Sequence, residues 1–195
     1  MVSIDGITRE VPDPFIVMAT QNPKGSAGTQ LLPESQLDRF MICMSMGYPD
    51  MKSEAMIAKE KTTNAKRIQV NKAMGIRELL KLKECVEQVY VHDHIYLYIA
   101  KLMGATRENP YMELGASPRA TIACTRLVKA WAFLNGRDYV TVDDVTDVFM
   151  DVVKHRMVCN TKARVSHVMV EDIIRDILTK VKQPASHRRR DEYGR

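Results

Sequence analysis

The run Phe15-Ile16-Val17-Met18-Ala19 constrains the fold of this 195-residue chain more than any other stretch. It has the length of a strand, is wholly apolar and lacks polar alternation, the pattern of a strand buried on both faces of a sheet. Such a strand needs neighbours in the sheet and a layer on each side, and the sequence offers few. Val2 to Ile4 and Thr8 to Val11 flank Asp5-Gly6 and read as a hairpin. Phe40 to Met46 places apolar residues at even positions, as a second strand would, before Gly47-Tyr48-Pro49-Asp50 ends it. A hairpin and one further strand cannot cover both faces of residues 15–19. The β part is therefore expected to be the end of a larger sheet.

Between the two strands, Thr20 to Leu32 is rich in Gly, Pro, Asn and Ser and reads as a loop, and Pro33-Glu34 opens a short helix running to about Arg39. From about residue 52 the periodicity is helical. Ser53 to Ala65, Gly75 to Val89 and roughly His92 to Thr106 are predicted amphipathic helices. The next has Ser117 as N-cap, Pro118 in its first position, a stripe of Ala120, Cys124, Leu127, Val128, Trp131 and Leu134, and Gly136 at its end. Thr141 and Asp144 form a capping box for a helix whose inner face is Val142, Val145, Val148, Phe149, Val152 and Val153, with Lys154, His155 and Arg156 complementing its dipole. About Val168 to Val181 forms a last helix, with Val170, Ile173, Ile174, Ile177, Leu178 and Val181 on one side, stopped by Gln183-Pro184. The fold class expected is mainly α with a small α/β part, divided as residues 1–48, 49–183 and a disordered tail at 184–195.

Hydrophobic residues at 45% and charged residues at 27% exclude disordered, collagen-like and membrane classes. No apolar run approaches the roughly 18 residues a bilayer requires, and Met1 to Glu10 lacks the apolar stretch of a signal peptide, so a cytoplasmic location is expected. A net charge of +5 is too small to select nucleic acid as a partner, and the run Arg188 to Arg190 reads as a solvated tail unless a longer basic block accompanies it. Cys43, Cys85, Cys124 and Cys159 contain no CxxC pair, which excludes a zinc ribbon, and are read as buried thiols. His92 and His94 are two apart and are assigned to a helix start rather than to a metal.

Five motifs then carry a resemblance. Ala19-Thr20-Gln21-Asn22-Pro23, Leu32-Pro33-Glu34-Ser35-Gln36-Leu37-Asp38-Arg39-Phe40, Gly115-Ala116-Ser117-Pro118-Arg119-Ala120, Gly136-Arg137-Asp138-Tyr139-Val140-Thr141 and His155-Arg156 resemble, in order and spacing, the C-terminal part of the MoxR family of AAA+ ATPases. The match covers about residues 1–183. It implies the end of an α/β ATPase core over residues 1–48 and a helical lid over 49–183. The rest of the ATP site is not in this sequence: there is no GxxxxGK[ST] to cradle phosphates and no acidic pair after a buried strand to hold Mg²⁺. The chain thus reads as a truncated ATPase, inactive alone, whose parent would bind ATP and Mg²⁺. The resemblance implies protomers of a hexameric ring and a remodelled protein, in this family often one with a von Willebrand A domain. The competing class is a non-enzymatic helical module binding nucleic acid or protein.

Three residues are singled out, each with two readings. Asn22 follows the buried strand, where ligands bind in parallel sheets, and either shapes a turn before Pro23 or, by resemblance, is the sensor-1 residue facing the γ-phosphate or attacking water. Arg39 either pairs with neighbouring Asp38 at a helix end or, by resemblance, is the arginine finger reaching into the next protomer. Arg119 lies in a first helical turn, where the dipole disfavours a cation unless an anion is present, and is either a surface arginine tolerated at small cost or, by resemblance, sensor 2, touching nucleotide from the lid.

Overall fold

The computed structural model describes residues 1–21, 32–62 and 70–184. The opening hairpin pairs β1 (Val2–Ile4) with β2 (Ile7–Arg9) antiparallel, and Asp5 and Gly6 take φ of 52° and 77° at its turn. Positive φ at both central positions is what a two-residue turn of this hand requires, and Asp-Gly supplies it at little cost.

Neither longer strand forms. Phe15, Ile16, Val17 and Met18 lie in an irregular segment, with Met18 92% exposed, and Met41, Ile42, Met44 and Met46 are likewise exposed. The reason is the one that made the run constraining: no sheet neighbour stands beside either segment among the described residues, and an unpaired strand loses both its ladder and its cover. The short helix does form, as α1 (Glu34–Leu37). Helix α2 (Met51–Thr62) starts two residues before the expected Ser53, the end expected at Ala65 lies outside the described residues, and it has no buried face among those described.

The remaining elements make one apolar core. Helices α3 (Ile76–Glu87) and α4 (Asp93–Glu108) precede a short strand β3 (Met112–Leu114); then come α5 (Pro118–Leu134), α6 (Val142–Val153), a 3₁₀ turn (Lys154–Arg156), β4 (Val158–Cys159), α7 (Thr161–Val165) and α8 (Val170–Lys180). Helix α5 packs against α3, α4 and α6, while α8 closes over α4 and α6. Tyr98, Ile99, Leu102, Met103, Val128, Val145, Phe149, Val152 and Ile174 are fully buried there. The inner faces expected for α6 and α8 are those observed, but the stripe on α5 is rotated. Ala120, Cys124 and Val128 are buried as expected, whereas Trp131 and Leu134 are exposed and Ala123 and Ala132 take the inner positions. The small alanines let neighbouring helices approach closely, and Trp131 sits at the rim with its indole N–H donating to Asp147 at 3.2 Å.

The sequence reading missed β3 and β4, which pair antiparallel, the five-residue α7, and a parallel bridge between Tyr90 and Tyr139. Elements of two to five residues carry no measurable periodicity. His92 is the N-cap of α4, its Nδ1 accepting from the His94 N–H at 3.1 Å, and the two rings stack with centroids 4.6 Å apart. They share a side because His92 precedes the helix. No metal-binding cluster of His, Cys, Asp and Glu is found among the described residues. Of the cysteines, Cys124 is buried and its thiol is pushed by burial up to about 12, but Cys85 is exposed, against expectation. No helix among the described residues is long and apolar enough to cross a membrane.

Candidate functional site

The N-terminus of α5 is held by the end of α4. Gly115 lies so close to Arg107 that a Cβ there would be 2.7 Å from the Arg107 backbone. The Ala116 N–H donates to Thr106 Oγ1 at 2.9 Å, Thr106 donates on to Met103 C=O at 2.7 Å, and Arg107 Nε donates to Ala116 C=O at 2.7 Å. Ser117 then caps α5 by accepting from the Arg119 N–H at 3.2 Å, and Pro118 occupies the first turn without wasting a donor. The consequence is a fixed start for the helix that carries Arg119.

The anion that Arg119 requires is present, and it is Asp38. Arg119 Nη1 donates to Asp38 Oδ2 at 3.1 Å, Ser117 Oγ donates to Asp38 Oδ1 at 2.8 Å, and Arg156 Nε approaches the same Oδ1 at 3.2 Å. Burial alone would raise the Asp38 carboxyl, but the Ser117 hydroxyl and the Arg119 and Arg156 guanidinium groups outweigh it and hold Asp38 below its ordinary value. The arms differ in environment, since the Arg119 side chain is 61% exposed and that of Arg156 only 2%.

Arg156 is the residue the sequence reading missed. The sequence assigns it only a charge that complements the α6 dipole; in the fold it turns inward and collects backbone carbonyls. Its guanidinium donates to the carbonyls of Asp38, Phe40, Met41 and Val152. Burial lowers the Arg156 pKa, opposed by the Asp38 charge, yet a guanidinium stays protonated at any accessible pH. His155 beside it places Nε2 3.1 Å from Phe40 C=O. A carbonyl can only accept, so Nε2 carries the proton, and the buried Nδ1 has no partner among the described residues. Burial, reinforced by the Arg156 charge, pushes this imidazole below its ordinary value despite the Phe40 hydrogen bond. A legible signal existed: Val148, Val152 and Arg156 follow one another at helical spacing, so the inner stripe of α6 runs into the arginine.

Arg39 is therefore not paired with Asp38. Its side chain is exposed and makes no ion pair or hydrogen bond among the described residues, while the backbone on both sides of it is held by Arg156. Asn22 lies outside the described residues. The site thus brings Arg119 together with the segment that carries Arg39. A phosphate fits at Arg119, whose guanidinium is exposed at the N-terminus of a 17-residue helix with only Nη1 engaged among the described residues. The described residues do not fit a metal ion, having no ligand cluster to offer.

A family model described as "AAA lid domain" matches residues 104–177, and one described as "ATPase family associated with various cellular activities (AAA)" matches residues 1–42. The chain is 36% identical over 183 residues to the uncharacterized protein YeaC of Bacillus subtilis, covering 94% of this chain and 57% of that one. It is 34% identical over 192 residues to the chaperone MoxR1 of Mycobacterium tuberculosis, covering 94% of this chain and 50% of that one. A solved structure of a candidate ATPase from Cytophaga hutchinsonii superposes with a TM-score of 0.83 at 35% identity, over 94% of this chain and 58% of the other. The chain spans about half the length of the curated relatives it matches.

Proposed function

The chain belongs to the MoxR family of AAA+ ATPases, corresponding to a C-terminal part of one, and from that we propose that it supplies the sensing arginines and the lid of a ring-forming, ATP-hydrolysing machine. Residues 1–48 are the end of the ATPase core and 49–183 the lid. Arg119 contacts the nucleotide phosphates from the lid of its own subunit. Arg39 reaches the neighbouring subunit's site as a finger, and Asn22 orients the γ-phosphate or the attacking water. Turnover remodels a partner protein in the cytoplasm, with a von Willebrand A-domain protein as the proposed client. ATP supplies the phosphoryl group and Mg²⁺ neutralises its charge; both are bound mainly by residues outside this sequence.

The observation that carries this reading is Arg119 at the α5 N-terminus, engaged among the described residues by a carboxylate through Nη1 alone, with most of its side chain exposed. A planar guanidinium at a helix N-terminus suits a phosphate, and Asp38 engages only one of its nitrogens among the described residues. The test joins this chain to the P-loop half of a MoxR relative. Arg119→Ala should weaken ATP binding roughly ten- to a hundredfold, the loss of one charge-assisted contact. Arg39→Ala should abolish hydrolysis with binding largely intact, and mixing it with subunits lacking the P-loop lysine should restore some turnover. Normal ATP affinity in Arg119→Ala, or normal turnover in Arg39→Ala, would remove the corresponding assignment. The 195-residue chain alone should release no phosphate from ATP.

A further inference from the structure

We propose that Asp38 and Arg156 form a positioning clamp that makes the presentation of Arg39 depend on what Arg119 binds, a proposal that rests on the phosphate and finger roles given above. Arg39 is exposed and its side chain makes no ion pair or hydrogen bond among the described residues, so no polar contact of its own fixes it and the path of its backbone governs where it is presented. That backbone is bracketed. Arg156 donates to the carbonyls of residues 38, 40 and 41, and His155 shares the carbonyl of residue 40. Both donors belong to the turn that ends α6, so the finger-bearing segment is fastened to the helical core rather than to a sheet. The main-chain bond from Cys43 N–H to Asp151 C=O at 2.9 Å fastens it a second time.

Asp38 connects this clamp to Arg119. Its Oδ1 is shared by Ser117 and Arg156, and its Oδ2 is held by Arg119. A phosphate arriving at Arg119 competes with Oδ2, the exposed and weaker arm, and leaves the buried arm in place. The carboxylate then has one fewer cation to satisfy and is free to rotate toward Arg156. Because Arg156 also holds the Asp38 carbonyl, any such adjustment displaces the peptide that leads into Arg39. Asp38 and Arg156 are positioning residues on this account, since neither touches the nucleotide.

The test is side-chain and backbone NMR on the 195-residue chain, reading the Arg39 and Phe40 amides and the Arg119 Nε–H. Without ligand, Arg119→Gln should shift the Arg39 and Phe40 amides in the wild-type background and leave them unmoved in Asp38→Asn. Arg156→Lys, which keeps the charge and loses the fork, should uncouple them in the same way and speed their hydrogen exchange. With tripolyphosphate as the probe, the Arg39 signals should follow those of Arg119 at one midpoint. In Asp38→Asn, Arg119 should saturate at several-fold lower tripolyphosphate, its competitor being gone, while Arg39 no longer follows. Coupling that persists unchanged in both Asp38→Asn and Arg156→Lys, or Arg39 amides indifferent to Arg119→Gln in the wild type, would overturn the clamp. Should Arg119 ignore tripolyphosphate in every background, the phosphate reading fails, and the ligand-free comparison still decides the clamp.

Discussion

Asp38 resolves a conflict at a single position. A cation in the first turn of α5 faces the positive end of the helix dipole, at a cost of ~0.3 to 1 kcal/mol. The carboxylate on its Nη1 offsets that cost, and the same carboxylate neutralises the buried Arg156. Removing it with Asp38→Ala should destabilise by about 3 kcal/mol in urea titration, because Arg156 is left buried without its charge partner. Arg119→Ala, on the exposed arm, should change stability by less than ~1 kcal/mol. His155 gives a pH signature. Its folded-state pKa lies below the ordinary histidine value, so on acidification the unfolded chain takes up a proton first. Its contribution is therefore complete above about pH 6.5 and lost as pH falls from there through the folded value. His155→Gln, whose amide can still donate to Phe40 C=O, should flatten the fall in melting temperature between about pH 7.5 and 5.5. The depressed Asp38 acts lower, holding stability above its unfolded value of 3.8 and losing it as pH drops further. Wild type and His155→Gln melting with the same slope above pH 5.5 would contradict the role of the imidazole.

At the scale of elements, the α5 N-terminus depends on close approach rather than on propensity. Gly115→Ala places a methyl group against the Arg107 backbone, which cannot rotate away as a flexible side chain would, and should cost about 1 to 3 kcal/mol by overpacking. Arg119 should be displaced with it, so phosphate binding should weaken alongside the melting temperature. Helix α6 offers a parallel case. Asp144 accepts from the Thr141 N–H at 2.7 Å and the Thr141 hydroxyl at 2.9 Å, and Arg137 grips both of its oxygens. Asp144→Ala should therefore cost about 3 kcal/mol, well above the ~1 of a simple cap, by chemical denaturation. The cap was legible in Thr141 and Asp144 because the signal is three residues long. The Arg137 pair was not, since it crosses the turn after Gly136 and leaves no periodic trace. Long helices could be read from their stripes, but the strands at residues 15–19 and 40–46 could not become strands here: local pattern states what a segment can pair with, and pairing needs the partner.

For the whole molecule, that missing partner leaves an apolar surface. Phe15 to Met18 together with Met41, Met44 and Met46 is exposed, and unpaired apolar backbone invites edge pairing with another copy. The 195-residue chain should associate with rising concentration in light scattering, and Ile16→Lys with Met44→Lys should return it toward monomer. A strictly monomeric wild type at high concentration would argue against an adhesive face. The site was legible only in part at this scale. Arg119 and Arg39 could be singled out from motifs, while Asp38 and Arg156, 118 residues apart, meet only when the lid folds.

The unequal exposure of the two arms at Asp38 has an electrolytic consequence. Dissolved ions screen charges that water reaches over about 8 Å at physiological strength, and screen buried ones far less. Added salt thus acts on Arg119 while sparing Arg156. Raising ionic strength should release the lid arginine from its carboxylate while Ser117 and Arg156 keep their hold on Asp38, so the segment that carries Arg39 readjusts without coming loose and with no change in fold.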